Sequence, residues 1–298
     1  MAELGFDGKV AIITGAGGGL GRQHALLLAK RGALIVVNDL GGAVDGTGSD
    51  KGAAERVVDE IKAAGGEAVA DTSSVATPEG GAAIVQTAID AFGRVDIVVN
   101  NAGILRDKAF HNMEPELMNP VFDVHLKGAF YVSRPAFVKM REQGYGRIIS
   151  TSSAAGVFGN FGQTNYGAAK MGLVGLTRVL AVEGAKANIK ANVIAPLALT
   201  RMTENIMSGT MAEKIVPELV SPIVAYLAHE DCDATGRIFS VGGGRVAEVF
   251  IAEVPGYYKA DLSLEDVRDH WDDITRRDGY QVPTNLNDEL RMFLPHFK

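Results

Sequence analysis

Cysteine is almost absent from this sequence of 298 residues, because Cys232 is the only one. A single cysteine excludes an internal disulfide and any metal cluster built on several thiolates. It is typical of a protein from a reducing compartment. His24 and His111 have no partner at the spacing of metal ligands, so we expect no metal site.

Long apolar runs and an excess of basic residues are missing as well. No apolar run approaches the length of a membrane span, and the first nine residues lack the basic flank of a signal peptide. The last residues, Pro295-His296-Phe297-Lys298, differ from the Ser-Lys-Leu type of peroxisomal address. We therefore expect a cytoplasmic protein without membrane insertion. The formal net charge of −7 disfavours nucleic acid as a partner.

Short runs rich in Val and Ile recur along the chain, and segments of helical period separate them. Near-continuous apolar strands that alternate with amphipathic helices predict an α/β fold with a doubly wound parallel sheet of the Rossmann type. We expect strands that end near Gly15, Asp39, Val75, Gly103, Ser153, Pro196 and Gly244.

Two regions interrupt this alternation. The stretch from Gly41 to Gly52 is rich in glycine and predicts an irregular loop. After about Phe250 the strand pattern stops, and polar helical pieces such as Leu264–Ile274 follow. We therefore predict one main domain over residues 1–250 and a C-terminal extension over residues 251–298.

A glycine-rich segment from Thr14 to Gly21 follows the first strand directly and opens the first helix. Glycines permit a tight turn, and the free N–H groups at the start of a helix attract a pyrophosphate. Together with Asp39 at the end of the second strand, this pattern predicts a dinucleotide site. The predicted cofactor contacts in this segment are Gly15, Gly19, Leu20 and Gly21. A purely structural turn is the alternative.

Asp39 also bears on which cofactor is bound. A carboxylate at this position accepts hydrogen bonds from the ribose hydroxyls of NAD and repels the 2′-phosphate of NADP. The next residue, Leu40, is not basic, so we expect NAD. The alternative is that Asp39 only caps a turn.

Ser153, Tyr166 and Lys170 form the predicted catalytic group. Tyr166 and Lys170 are four residues apart and lie on one face of a helix. A free tyrosine has a pKa near ~10, and an ammonium about 4 Å away stabilises the phenolate by about 4 kcal/mol. This would prepare the phenol for proton exchange with an alcohol. Ser153, at the end of the fifth strand, can hydrogen-bond the substrate oxygen.

These motifs, with Asn100-Asn101-Ala102-Gly103, resemble the short-chain dehydrogenase/reductase family over about residues 8–245. Other segments resemble the (3R)-hydroxyacyl-CoA dehydrogenase portion of peroxisomal multifunctional enzymes, a branch also associated with 17β-hydroxysteroids. These segments are Asn38–Gly42, Val124–Gly128, Gly159–Tyr166 and Leu264–Trp271.

The resemblance implies a role for each matching residue. Tyr166 is the general acid/base, Lys170 lowers its pKa and holds the nicotinamide ribose, and Ser153 orients the substrate. The remaining predicted cofactor contacts are Ser74 and Val75 at the adenine, Asn100, Ala102 and Gly103 along the cofactor, and Pro196 near the nicotinamide.

His125 departs from the wider family, most members of which carry an asparagine at this position to place a water in a proton relay. A neutral histidine can also donate and accept, so we include His125 as a secondary catalytic residue. A histidine that bonds only a backbone carbonyl is the equal alternative.

The resemblance implies an NAD-dependent oxidoreductase that converts (3R)-hydroxyacyl-CoA to 3-ketoacyl-CoA in fatty-acid or sterol side-chain β-oxidation. A 17β-hydroxysteroid dehydrogenase is the alternative, and an NAD-sensing binding protein is a more distant one. We expect a homodimer in which the extension crosses towards the neighbouring subunit and shapes the substrate entrance.

Overall fold

The computed structural model describes residues 3–50, 52–200 and 213–297. Eight strands form one sheet in the order β3-β2-β1-β4-β5-β6-β7-β8, and every neighbouring pair from β3 to β7 is parallel. A two-residue connection joins β7 to β8, so these strands run antiparallel. The strands are β1 (Val10–Thr14), β2 (Leu34–Asn38), β3 (Ala68–Asp71), β4 (Ile97–Asn100), β5 (Gly146–Thr151), β6 (Ile189–Pro196), β7 (Ile238–Gly242) and β8 (Arg245–Val249).

Helices connect the parallel strands, which is the arrangement that parallel pairing requires. Those of the sheet region are α1 (Gly19–Lys30), α2 (Gly52–Ala63), α3 (Pro78–Phe92), α4 (Pro115–Phe122), α5 (Gly128–Gln143), α6 (Ala154–Phe158), α7 (Thr164–Gly184) and α8 (Ser221–Ala228). One π-helical turn, Asp123–Lys127, joins α4 to α5.

The core lies on both faces of the sheet. In β1, Ala11 and Ile13 belong to one buried cluster with residues of α1 and α2, whereas Val10 and Ile12 belong to a second cluster with residues of α3 and α5. Successive side chains of a strand point to opposite faces, so a strand covered on both sides is apolar at every position. The predicted doubly wound, Rossmann-type fold is confirmed.

The strand β3 ends at Asp71 and not near Val75 as predicted. After Asp71 the chain is held by side chains instead of by the sheet. The Asp71 carboxylate accepts the N–H of Ser73, and Asn38 donates to both the Asp71 carboxylate and the Ser73 carbonyl. The residues from Thr72 to Val75 therefore form a fixed loop at the carboxyl edge of the sheet.

The chain divides into two compact units, Met1–Glu248 and Val249–Lys298. The second unit contains α9 (Leu264–Asp269), α10 (Trp271–Thr275) and α11 (Leu286–Phe293). Within it, Ser263 and Asp266 form a capping box at the start of α9, and an isolated antiparallel bridge pairs Glu253 with Gln281. These contacts give the short unit an internal structure of its own.

The strand order reverses between β1 and β4, because the chain winds outward to β3 on one side and to β7 on the other. In doubly wound sheets, ligands bind at the carboxyl ends of the strands at such a switch point. The candidate site is expected there. Among the described residues, no helix is long and apolar enough to cross a bilayer.

Candidate active site

The glycine-rich turn at the end of β1 is shaped by close backbone contacts. Gly15 has a positive φ of 64°, and a Cβ atom there would lie 2.8 Å from the Cα of Ala102. A Cβ at Gly21 would collide with the Gly15 carbonyl oxygen, so α1 approaches the turn as closely as glycine permits. Leu20 packs against the core below the turn.

The amino end of α1 has the features of an anion site. Its N-cap, Gly18, supplies no side-chain hydrogen bond to the first N–H groups of the helix. A Cβ at Gly18 would meet nothing within 4 Å, and one at Gly19 would meet only the Thr200 side chain. Uncapped N–H groups that face open space fit a pyrophosphate.

Asp39 is held by two backbone N–H groups. Its Oδ2 accepts from Gly17 at 2.7 Å and its Oδ1 accepts from Gly41 at 2.6 Å. A Cβ at Gly17 would lie 2.9 Å from this carboxylate, so glycine is required there. Each carboxylate oxygen retains a lone pair for a further donor, such as a ribose hydroxyl.

The adenine side of the predicted cofactor site includes the loop after β3. Val75 is buried, and the Ser74 hydroxyl accepts the Ala76 N–H at 3.2 Å. The loop rests on the bonds between Asn38 and Asp71 described above. Sequence reasoning did not select either residue, although two adjacent polar residues at the end of an apolar strand, Asn38 and Asp39, are a usable signal.

The Asn100–Gly103 segment fastens β4 to its neighbours. Asn100 donates to the Ser133 hydroxyl at 2.8 Å, and the Ala102 N–H donates to the Thr14 hydroxyl at 3.1 Å. Asn101 donates to the carbonyls of Thr14 and Gly15. Asn101, which was quoted in the motif without a role, therefore helps to hold the glycine-rich turn in place.

Ser153, Tyr166 and Lys170 meet beyond the carboxyl end of β5. Ser153 is the N-cap of α6, and its Oγ accepts from the Ala155 N–H at 3.1 Å. Tyr166 lies in the first turn of α7, and the Lys170 Nζ lies 5.4 Å from the centre of its ring. Lys170 donates to the Thr151 carbonyl at 2.5 Å. The predicted group is thus assembled by the start of two helices after one strand.

Burial is the largest influence on both ionisable members of this group. It raises the pKa of Tyr166 to about 12, while a hydrogen bond with Ser153 acts in the lowering direction. Burial also lowers the pKa of Lys170 to about 7. The tyrosine pKa thus moves opposite to the direction expected from the Tyr–Lys spacing, because spacing alone does not report desolvation.

His125 contacts the ring of Tyr166 and a neighbouring backbone. The two rings meet edge to face with centroids 5.1 Å apart, and Nε2 lies 3.0 Å from the Ile104 nitrogen and 2.8 Å from its oxygen. Burial holds the pKa of His125 well below its usual value, so the ring is neutral. A Cβ at Gly103 would collide with the imidazole. His125 thus packs against Tyr166 and contacts the Ile104 backbone, and its catalytic role stays a prediction.

Asn165 is a site residue that sequence reasoning missed. It is 2% exposed. Its amide donates to the carbonyls of Arg106 and Leu117, and its Oδ1 accepts the Tyr166 N–H at 2.7 Å. The signal was a polar residue directly before the tyrosine that is predicted to be catalytic.

The predicted contact Pro196 and three other side chains near the site lie less centrally. Pro196 ends β6 at the same edge of the sheet. The guanidinium of Arg22 forms a salt bridge with Glu60 on α2. Phe158 and Phe161 are 72% and 89% exposed, beside the loop that leads to Tyr166. Within the described ranges, no three His, Cys, Asp or Glu side chains are grouped to hold a metal ion.

Comparisons with known proteins agree with this geometry. The short chain dehydrogenase family matches residues 9–210. The chain is 51% identical to peroxisomal multifunctional enzyme A of Dictyostelium discoideum over 96% of its length, and spans 64% of that enzyme. It is 37% identical to a hydroxyacyl-CoA dehydrogenase of Mycobacterium tuberculosis, covering 86% of this chain and 84% of that protein.

A solved structure agrees with these sequence comparisons. Full-length peroxisomal multifunctional enzyme type 2 of Drosophila melanogaster superposes with a TM-score of 0.84 at 40% identity, covering 98% of this chain and 50% of that chain. The sequence thus corresponds to the dehydrogenase part of multifunctional enzymes. The chain belongs to the short-chain dehydrogenase family and is an oxidoreductase that acts on CH–OH groups.

Proposed function

We propose that the chain uses NAD to oxidise (3R)-hydroxyacyl-CoA to 3-ketoacyl-CoA, in fatty-acid or sterol side-chain β-oxidation. The observation that carries the chemistry is the buried Lys170 Nζ, which lies 5.4 Å from the centre of the Tyr166 ring, beyond the strand end at which Ser153 caps α6. The substrate is inferred from the hydroxyacyl-CoA dehydrogenase named among the relatives. Three intact catalytic side chains favour an enzyme over a binding protein that only senses NAD.

NAD is favoured by the surroundings of Asp39. Its carboxylate is fixed by the N–H groups of Gly17 and Gly41, and Leu40 beside it is exposed and apolar. A 2′-phosphate would meet a negative charge there with no basic neighbour in the motif. The uncapped amino end of α1 would hold the pyrophosphate. When bound, NAD supplies the hydride acceptor.

The chain's own residues manage the proton and the substrate oxygen. Ser153 is placed to donate a hydrogen bond to that oxygen, and Tyr166 takes the alcohol proton as the carbonyl forms. Taking that proton requires the phenolate form of Tyr166. Burial raises the pKa of Tyr166 and favours the neutral phenol, which is the form that gives a proton to the substrate oxygen in the reverse direction. Lys170, fixed on the Thr151 carbonyl, supplies the adjacent positive charge when protonated.

A 17β-hydroxysteroid is the second candidate substrate. The exposed rings of Phe158 and Phe161 suit a steroid as well as an acyl chain. Two basic residues that follow Gly103 are candidates for binding the phosphates of CoA, Arg106 and Lys108. Arg106 donates to two backbone carbonyls, and Lys108 is exposed. Lys108 is therefore the better placed cation for a phosphate.

An assay of the purified chain decides between these substrates. Initial rates with NAD and NADP are compared on (3R)-hydroxyacyl-CoA, its (3S) epimer and a 17β-hydroxysteroid. We expect NAD-linked activity on the (3R) epimer alone. Equal rates on the two epimers contradict the proposed substrate, and activity on the steroid alone selects the second candidate.

We also propose a homodimer formed through α5 and α7. These helices expose apolar side chains that a partner subunit would cover, namely Phe130, Val138, Met171, Val179 and Val182. Sizing by light scattering tests the dimer.

A cytoplasmic location remains our proposal, although the Dictyostelium and Drosophila relatives are named peroxisomal. Cell fractionation tests it.

A further inference from the structure

Residues 41–50, which follow β2 and Asp39, are called the strap here. The strap contains no helix or strand but is closed by its own hydrogen bonds. The Asp50 N–H donates to the Gly41 carbonyl at 2.8 Å, and the Ala43 N–H donates to the Thr47 carbonyl at 2.8 Å. The Asp45 carboxylate accepts both the N–H and the hydroxyl of Thr47. The strap is thus a compact loop with a defined shape.

The strap contacts residues that follow a different strand. The Leu105 N–H, after β4, donates to the Val44 carbonyl at 2.9 Å. A Cβ at Gly46 would lie 3.1 Å from the Ile104 side chain, so the strap backbone rests on that residue. In the sheet, β1 lies between β2 and β4. A loop that leaves β2 and reaches the residues after β4 must cross the carboxyl end of β1, where the glycine-rich turn lies.

Arg106 fastens the strap at its far side. Its Nε donates to the Asp45 carbonyl and its Nη1 donates to the Glu116 carbonyl, each at 2.9 Å. The planar guanidinium holds two acceptors in fixed directions, which an ammonium cannot reproduce. One side chain therefore ties the strap to the first turn of α4.

The same residue is connected to the catalytic tyrosine. The Arg106 carbonyl accepts from the Asn165 amide at 2.9 Å, and the Asn165 Oδ1 accepts the Tyr166 N–H. Hydrogen bonds thus run without interruption from the strap to the first turn of α7.

We propose that the strap closes over the bound nicotinamide cofactor and that Arg106 is the positioning residue that keeps it closed. The proposal rests on the dinucleotide site of the proposed function. A cofactor between the glycine-rich turn and the strap leaves only after Arg106 releases Asp45. Hydrogen bonds from a charged donor are among the stronger ones, so losing this one speeds cofactor release about tenfold.

The test measures the release of NADH, and separately of NADPH, by stopped-flow fluorescence. Arg106→Met should release the cofactor about tenfold faster and raise its KM similarly, with kcat within about threefold. Arg106→Lys, which keeps the charge but not the fork, should lie between. Arg141→Met is the matched control, because Arg141 is exposed in the last turn of α5, at the opposite edge of the sheet. Its release rate should equal that of the unmodified chain.

A second variant protects the test against misfolding of Arg106→Met. Gly46 is exposed and has a φ of 84°, so Gly46→Ala strains the strap and presses it against Ile104 while Arg106 stays intact. It should also speed release. Hydrogen exchange gives an independent readout: NADH should slow exchange across residues 41–50 in the unmodified chain and less so in either variant.

Two results contradict the proposal and differ in meaning. Unchanged release from Gly46→Ala and from any folded Arg106→Met, with no protection of residues 41–50 by NADH, overturns the strap alone. A chain that retains neither NADH nor NADPH overturns the proposed function together with the strap.

Discussion

The cofactor half and the catalytic half of the site are held by different kinds of interaction. Around the glycine-rich turn and Asp39, backbone and side-chain groups bond one another, and glycines stand where a Cβ would collide. In the catalytic half, burial shifts the pKa values of Tyr166 and Lys170. Two buried atoms there, Nδ1 of His125 and Oγ1 of Thr151, lack a partner among the described residues. Close packing and hydrogen bonds thus hold the predicted cofactor half, whereas desolvation of two ionisable side chains distinguishes the predicted catalytic half.

The largest expected effect separates the two halves directly. Tyr166→Phe removes the proton-transfer group and leaves the turn around Gly15 untouched. Turnover should fall about 100-fold or more, the scale of a lost general acid/base, while NADH affinity stays nearly the same. Steady-state rates measure the change in turnover, and an NADH titration measures the affinity. A phenylalanine variant with most of its turnover would remove Tyr166 from the mechanism.

The next effect belongs to the cofactor half. Asp39→Ser combined with Leu40→Arg removes the carboxylate and adds a basic neighbour. NAD affinity should fall about tenfold to hundredfold, as expected for lost hydrogen bonds to a charged group, and NADP should become the better cofactor. Titration of both cofactors measures the change. The unmodified chain preferring NADP would contradict the role of Asp39.

His24 extends the comparison to the cofactor side, because it lies in α1 and its buried Nε2 also has no partner in the part of the chain that the structure describes. Burial lowers the pKa of His24 from 6.5 to about 3. Between these values the unfolded chain binds more protons than the folded one. Stability from the neutral ring is therefore complete above pH 6.5 and is lost as the pH falls towards 3.

Urea unfolding at pH 6.5 and at pH 5 measures how much the neutral His24 ring contributes to the free energy of unfolding. His24→Gln keeps a hydrogen-bonding group for Ser221, which lies 2.8 Å from the His24 ring. Between the two pH values the variant should lose about 2 kcal/mol less stability than the unmodified chain. Its turnover at pH 7 should be unchanged. An identical pH dependence in the two proteins would mean that His24 is not responsible.

The smallest expected effect concerns His125. Asparagine is the residue that the family resemblance implies at this position, and its amide can also bond the Ile104 backbone. His125→Asn should keep turnover within about threefold, whereas His125→Ala leaves that backbone group unpaired and should destabilise the fold by about 1–3 kcal/mol. Rates and thermal unfolding of both variants test this. If His125→Asn lost as much turnover as Tyr166→Phe, His125 would be a proton-transfer group.

The sequence predicted most of the fold because the strands of a sheet covered on both faces are continuous apolar runs. It missed β8, Arg245–Val249, whose residues are mostly exposed and partly charged, so that no apolar run marks it. It also placed the end of β3 too late. The residues after Asp71 are fixed by side-chain bonds across the chain, which no periodicity reveals.

The sequence predicted those parts of the site that are encoded by short local motifs. Tyr166 and Lys170 are linked by helical spacing, and the glycine-rich turn follows directly from a strand. The direction of the tyrosine pKa shift depends on burial by distant segments, which spacing does not contain. The contact of Arg106 with Asp45 also joins segments that are far apart in the chain.

The two outermost strands have a consequence for how the protein behaves at high concentration. The strand β3 has only four residues, and β8 carries Arg245 and Glu248 among exposed positions. An edge strand offers unpaired backbone groups to other chains, and short length and charge both oppose such pairing. The sheet therefore has little tendency to extend from one molecule into the next, and concentrated solutions should resist aggregation through strand addition.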